Sequence, residues 1–151
     1  MRKAWALFLF AAVMIVLTAC GSNEETRTFE MSDQGIESTL VYTHDDDRVI
    51  SQSTENIINY EELGMDKAQA EEMFGSMAEQ YEGLSGVEHS FEFGDEEATE
   101  TLTIVYDEVD SEELEGVQGM NFEGEGDPSE GVSMERSAEM LEQQGYTEVE
   151  E

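Results

Sequence analysis

The chain predicts a two-layer α+β domain: an antiparallel sheet of about five strands with two main helices packed on one face. Three observations predict it. Apolar residues alternate with polar ones at period two from Phe29 to about Tyr60, and again from Val87 to Tyr106. The spacing switches to helical after Asp66 and after Ser133. The order is therefore three strands, helix, two strands, helix, which fits helices packed against an antiparallel sheet.

The first twenty residues stand apart. Arg2 and Lys3 precede an uncharged apolar run from Ala4 to Leu17, and the small residues Thr18 and Ala19 follow. This is the order of a secretory signal peptide, and the run is shorter than the roughly 20 residues of a spanning helix. Leu17-Thr18-Ala19-Cys20 resembles the lipobox of bacterial lipoproteins. In that class the Cys thiol receives a diacylglyceryl group and the chain is cut just before it. The resemblance implies cleavage between Ala19 and Cys20, lipid attachment at Cys20, and a mature chain held on the membrane by its acyl chains (palmitate and its like). Two acyl chains give a stable anchor where one does not, at about 0.8 kcal/mol per buried CH₂.

Three regions follow: a signal peptide over 1–19, a lipidated tether over 20–26, and one α+β domain over 27–151. The tether spans at most about 20 Å when extended. Cys20 is the only cysteine. Lipidated, it leaves no disulfide and no thiol nucleophile, so the exported domain rests on packing alone.

Within the domain, Phe29 and Met31 face one way, and Ile36, Leu40 and Tyr42 share a face across the turn Asp33-Gln34-Gly35. Asp45-Asp46-Asp47 makes the next turn. Arg48 to about Tyr60 is a third strand of weaker pattern, which allows a bulge or an early stop. Asp66 is a good N-cap for a helix carrying Ala70, Met73, Phe74, Met77 and Tyr81 as a core stripe and ending at Gly83. Gly86 opens a second hairpin, in which Val87, His89, Phe91 and Phe93 face Leu102, Ile104 and Tyr106 across the turn Gly94-Asp95-Glu96. One helical turn is expected within Ser111–Gln118, then a loop at Gly124–Ser129. A last helix starts at the N-cap Ser133, turns Met134, Ala138 and Leu141 inward, and ends at Gly145. Tyr146 to Val149 can add a short strand.

Charge is the strongest compositional feature. The mature chain keeps four basic residues, Arg27, Arg48, Lys67 and Arg136, against 38 acidic ones, a formal net charge of −34. Such a surface repels nucleic acid and anionic lipid, whose affinity rests on Lys and Arg. Of three explanations, a disordered acidic tail fails because the acids are dispersed among patterned apolar residues. Binding of cations or of a basic partner stays open. The preferred explanation is adaptation to a saline or alkaline habitat, where salt screens self-repulsion over about 3 Å at 1 M.

No catalytic motif stands out, and the chain is expected to be no enzyme and to carry no cofactor. His89 falls on an apolar strand face and reads as a core or rim histidine. His44, before the Asp turn, is expected to be exposed. Two histidines without cysteine make a weak zinc case. Calcium is the best metal candidate, at Asp45-Asp46-Asp47 or among Glu123, Glu125, Asp127 and Glu130, although neither set has EF-hand spacing.

Blocks spread over the whole domain resemble the YehR-like bacterial lipoproteins, small envelope proteins without an assigned function. They are Val41-Tyr42, Asp47-Arg48-Val49-Ile50 and Gln52-Ser53; Gly86-Val87-Glu88; Leu102-Thr103-Ile104-Val105-Tyr106-Asp107 with Val109-Asp110; and Gly131-Val132-Ser133-Met134 leading to Gly145-Tyr146-Thr147-Glu148-Val149. The resemblance implies one two-layer α+β domain and brings no catalytic residues. Glu or Asp stands here where relatives use Lys, so a shared basic patch would be missing. The expected function is a lipid-anchored, extracytoplasmic, non-enzymatic binding or envelope-assembly module. Its partners would be the membrane, through Cys20, and an envelope protein. The alternative is a small-ligand or calcium-binding lipoprotein.

Overall fold

The computed structural model describes residues 23–110 and 132–149. Three long strands come first: β1 (Glu24–Asp33), β2 (Ile36–Asp45) and β3 (Arg48–Asn59). A four-residue helix α1 (Tyr60–Leu63) leads to α2 (Lys67–Ala78) and a 3₁₀ turn, Glu79–Tyr81. The second hairpin is β4 (Val87–Phe93) and β5 (Glu97–Val105), followed by a 3₁₀ turn at Tyr106–Glu108. The two-residue β6 (Val132–Ser133), α3 (Met134–Gln144) and β7 (Thr147–Val149) complete the described chain.

The sheet is antiparallel, in the order β4-β5-β3-β2-β1-β7, with β6 paired to the start of β3. Among the described residues seven strands stand where about five are expected. β7 (Thr147–Val149) is the short strand that Tyr146 to Val149 can add, one residue shorter, whereas β6, two residues beside the start of α3, carries too little alternation to announce itself. The strand β1 already begins at Glu24, paired with Asp45. The expected tether therefore loses residues 24–26, and the lead from Cys20 to the first paired residue is about 14 Å at most. The helical turn expected in 111–118 and the loop at 124–129 lie outside the described residues.

Gln34 and Gly35 join β1 to β2 with both φ positive, 46° and 84°, as a two-residue hairpin of primed type requires. The irregularity expected in β3 is a bulge. Thr43 pairs with Ser51 and His44 with Val49, so Ile50 is the extra residue. It lets Val49 join the same buried face as Leu40 and Tyr42.

Both main helices lie on one sheet face, as expected. Under α3 a cluster forms around Phe29, Leu40, Tyr42, Ile104, Met134 and Leu141. Under α1 and α2 a second cluster gathers Ile58, Tyr60, Ala70 and Ala98, with Phe74, Phe91 and Phe93 packed against it. Phe74 stacks on Phe91 at 5.5 Å and Phe91 on Phe93 at 5.6 Å. A reciprocal capping box, Asp66 with Gln69, starts α2.

The methionine stripe is corrected. Ala70 is fully buried, but Met73 and Met77 are 50% and 37% exposed. Helix α2 rests on the edge hairpin through Ala70 and Phe74, and a helix seated on a sheet edge leaves its flanks wet. It also stops at Ala78, and the turn to Tyr81 tightens to 3₁₀. The other helix behaves as read. Ser133 caps it through Arg136 N, Met134, Ala138 and Leu141 are buried, and Gly145 closes it at φ 99°.

Candidate functional site

Register places three kinds of surface on the domain. The first is a polar row inside it. On the helix-covered face, Ser38, Asn56, Glu100 and Phe91 lie side by side on successive strands. This row separates the two apolar clusters. Glu100 accepts from Asn56 Nδ2 at 2.7 Å through one oxygen and contacts His89 Nε2 at 2.8 Å through the other. The His89 side chain is only 2% exposed, stacked under Tyr81 at 4.3 Å with the Phe91 ring edge-on at 5.1 Å. Its Nδ1 is buried without a hydrogen-bond partner. Burial raises the Tyr81 phenol pKa above its ordinary value, and the nearby Glu100 charge adds to this. Ser38 Oγ and Tyr146 OH, 3.0 Å apart, extend the polar row to the segment before β7. His89 thus has its side chain covered, in keeping with the core or rim histidine expected from sequence. Its carboxylate partner was illegible among 38 acids.

The second surface is the turn at Asp45-Asp46-Asp47. The exposure expected of His44 is corrected: the residue is only 7% accessible, with Nδ1 2.7 Å from the Asp46 carbonyl. The strand's alternation carries it inward after Tyr42. Asp47 serves α3: its carboxylate accepts from Glu135 N at 2.9 Å and its carbonyl from Met134 N at 2.7 Å. The bond from Glu135 N, helped by Ser133, holds its carboxyl pKa below the usual range. One of the three candidate calcium ligands is therefore committed to a helix start. Among the described residues no group of three or more His, Cys, Asp or Glu is placed to hold a metal ion. The second candidate set, Glu123, Glu125, Asp127 and Glu130, lies outside the described residues, as do Ala19 and Cys20.

The third surface is the uncovered face of the sheet. Thr28, Val41, Ser53, Thr103 and Glu88 form one row across five strands, and Glu30, Thr39, Glu55, Thr101 and Ser90 the next. Both rows are half-buried or exposed. An open depression of about 550 Å³ lies at its β1–β3 side, lined by Glu30, Glu37, Glu55, Ile57, Thr147 and Val149 among others. Among the described strands two edges bound the sheet, β4 on one side and β7 on the other.

The basic residues fasten segments together. Arg27 grips Glu148 through Nε and Nη2, each at 2.6 Å, and its guanidinium lies 5.3 Å from the Phe29 ring centre. Arg48 pairs with Asp107. Lys67 Nζ donates to the Phe93 carbonyl at 3.2 Å and lies near Glu71 and Asp95.

This architecture is a two-layer α+β domain shared with proteins named as bacterial lipoproteins. Residues 25–147 match DUF1307, described as a protein of unknown function, and the chain belongs to that family. Uncharacterized lipoprotein Lmo0207 of Listeria monocytogenes is 39% identical over 150 residues, covering 99% of this chain and 97% of the relative. Uncharacterized lipoprotein YehR of Escherichia coli is 28% identical over 149 residues, covering 98% and 97%. The NMR structure of E. coli YehR superposes with a TM-score of 0.72 at 29% identity, over 85% of this chain and 93% of that one. An NMR structure from Streptococcus pneumoniae shares the fold, with a TM-score of 0.58 at 19% identity over 99% of each chain.

Proposed function

We propose that the chain is anchored through a diacylglyceryl group on Cys20 at the extracytoplasmic face of the cell membrane. There it works as a non-enzymatic binding or envelope-assembly module. The observation that carries the second half is the half-covered sheet: both main helices occupy one face, and the other offers a broad plane of Ser, Thr and Glu. Relatives named as lipoproteins at 39% and 28% identity support the first half. The anchor is tested by Cys20→Ala, which should leave the membrane fraction and stay unprocessed; pelleting with membranes at high salt would defeat the lipid reading. The binding role is tested by crosslinked capture from native membranes in molar salt. One stoichiometric protein partner is expected, and its absence counts against assembly.

The second reading is a small-ligand or cation carrier. The depression beside Glu30, Glu37 and Glu55 favours it, because carboxylates there flank apolar Ile57 and Val149. Calorimetry with Ca²⁺ and Mg²⁺ in molar NaCl separates a cation site, which gives a larger heat for Ca²⁺, from a solvated acidic face, which gives equal heats.

A further inference from the structure

We propose that the open edge of β4 takes up an extended, basic segment of a partner protein by strand addition. The proposal rests on the binding-module reading above and assigns it a place. In a strand, successive residues aim their backbone groups at alternate sides. Gly94 N donates to Glu97 O, and Val105 N donates to Gly86 O. Positions 86 and 94 therefore point at β5, and so do 88, 90 and 92 between them. The backbone groups of Val87, His89, Phe91 and Phe93 point away from the sheet. The Phe93 carbonyl fits this, since it takes its hydrogen bond from Lys67 on α2. Among the described residues no strand pairs with this side of β4.

A bare strand edge invites pairing, and charged side chains are the usual guard against self-association. Here the guards also specify a partner. Glu88, Ser90 and Glu92 are exposed on the face opposite the helices, whereas Val87, His89, Phe91 and Phe93 are partly covered by α2 and its turn. An antiparallel second copy, matched along all seven residues, would set Glu88 against Glu92 twice, and like charges directly opposite are destabilising. A strand with Lys or Arg at alternate positions meets those same carboxylates with opposite charge. Its other face would lie beside the half-buried rings of Phe91 and Phe93. Strand addition draws its affinity from main-chain bonds and its selectivity from alternate side chains.

The test uses the full lipidated chain in detergent micelles at 0.15 M NaCl. The probe is a blocked heptapeptide alternating Lys and Val, with a Glu-Val heptapeptide as its counterpart. Saturating Lys-Val peptide should slow amide exchange at His89 and Phe91 at least tenfold, and the Glu-Val peptide should leave it unchanged. E88K/E92K should weaken Lys-Val binding at least tenfold, while E72K/E139K, on the helices, should bind as the parent does. Unchanged exchange in β4, or equal binding to E88K/E92K, would overturn the proposal. A native partner that binds without protecting β4 would also overturn it, yet leave the binding-module reading standing.

Discussion

Arg27 and Glu148 are 121 residues apart in sequence and meet as a two-pronged ion pair, with both N–O distances 2.6 Å. The pair joins the start of β1 to β7 and so closes the sheet with the last described strand. The hydrogen bonds from Arg27 hold the Glu148 carboxyl pKa below its ordinary value, and those to Glu148 raise the Arg27 pKa further. A depressed carboxylate stabilises the fold above its unfolded pKa, near 4, and loses that contribution as pH falls through its folded value. Glu148→Gln should therefore cost about 1 kcal/mol at pH 7 and almost nothing at pH 2. Urea titrations at the two pH values check this; an equal cost at both would place the pair's worth in packing.

Glu100 should prove the most costly carboxylate to remove. It satisfies Asn56 and His89 together in the row between the two apolar clusters. Glu100→Ala leaves both partners without it in a mostly covered site, at about 3 kcal/mol by chemical denaturation. Exposed Glu72→Ala should change stability by less than about 0.5 kcal/mol. Similar values for the two would remove Glu100 from any special position.

Gly86 stands at the entry to β4 with φ 71°, and a Cβ there would come within 2.8 Å of the Val105 carbonyl oxygen and of backbone atoms of Glu108 and Val109. Backbone cannot swing aside as a side-chain tip can. Gly86→Ala should cost about 2 kcal/mol or more, seen as a lower denaturation midpoint with an unchanged slope.

Asp47→Ala should cost about 1 kcal/mol, because the carboxylate accepts from Glu135 N at the start of α3. The loss should be the same with and without millimolar Ca²⁺. A calcium-dependent difference would return this turn to the list of cation ligands.

Salt should act on the whole domain. With four basic residues against 38 acidic ones, self-repulsion opposes the compact state, and molar NaCl screens it. Thermal melting should rise steeply from 0.05 to 1 M NaCl. A flat melting temperature would send the acids back to a binding role.

Much of this fold was legible because its signals are local. Phe29, Leu40 and Tyr42 announce a buried face by alternation, and Ser133 with Gly145 brackets a helix by cap chemistry alone. Met73 and Met77 misled because helical spacing reports which residues share a stripe, not how much of it is covered. His44 misled because a neighbouring run of Asp suggested solvent, while the strand's alternation turns the ring inward. The Asn56–Glu100–His89 contact could not be read, although the covered position of His89 could. Its members meet only through register across β3, β5 and β4, and one glutamate among so many carries no mark. That β4 is an edge among the described strands is hidden for the same reason, since it depends on strand order rather than on any residue's identity.

The early start of β1 sets a height. With the proposed lipid on Cys20, four residues would reach Glu24 and nine more complete the strand. Fully extended, that path carries the Gln34-Gly35 hairpin tip no more than about 50 Å from the headgroups. On the proposed anchor, whatever this domain touches must come down into that thin layer above the bilayer. A longer tether would let the same sheet range further, so inserting ten Gly-Ser residues after Gly21 would convert a short-range fixture into a longer-range one while leaving the described strand pairings in place.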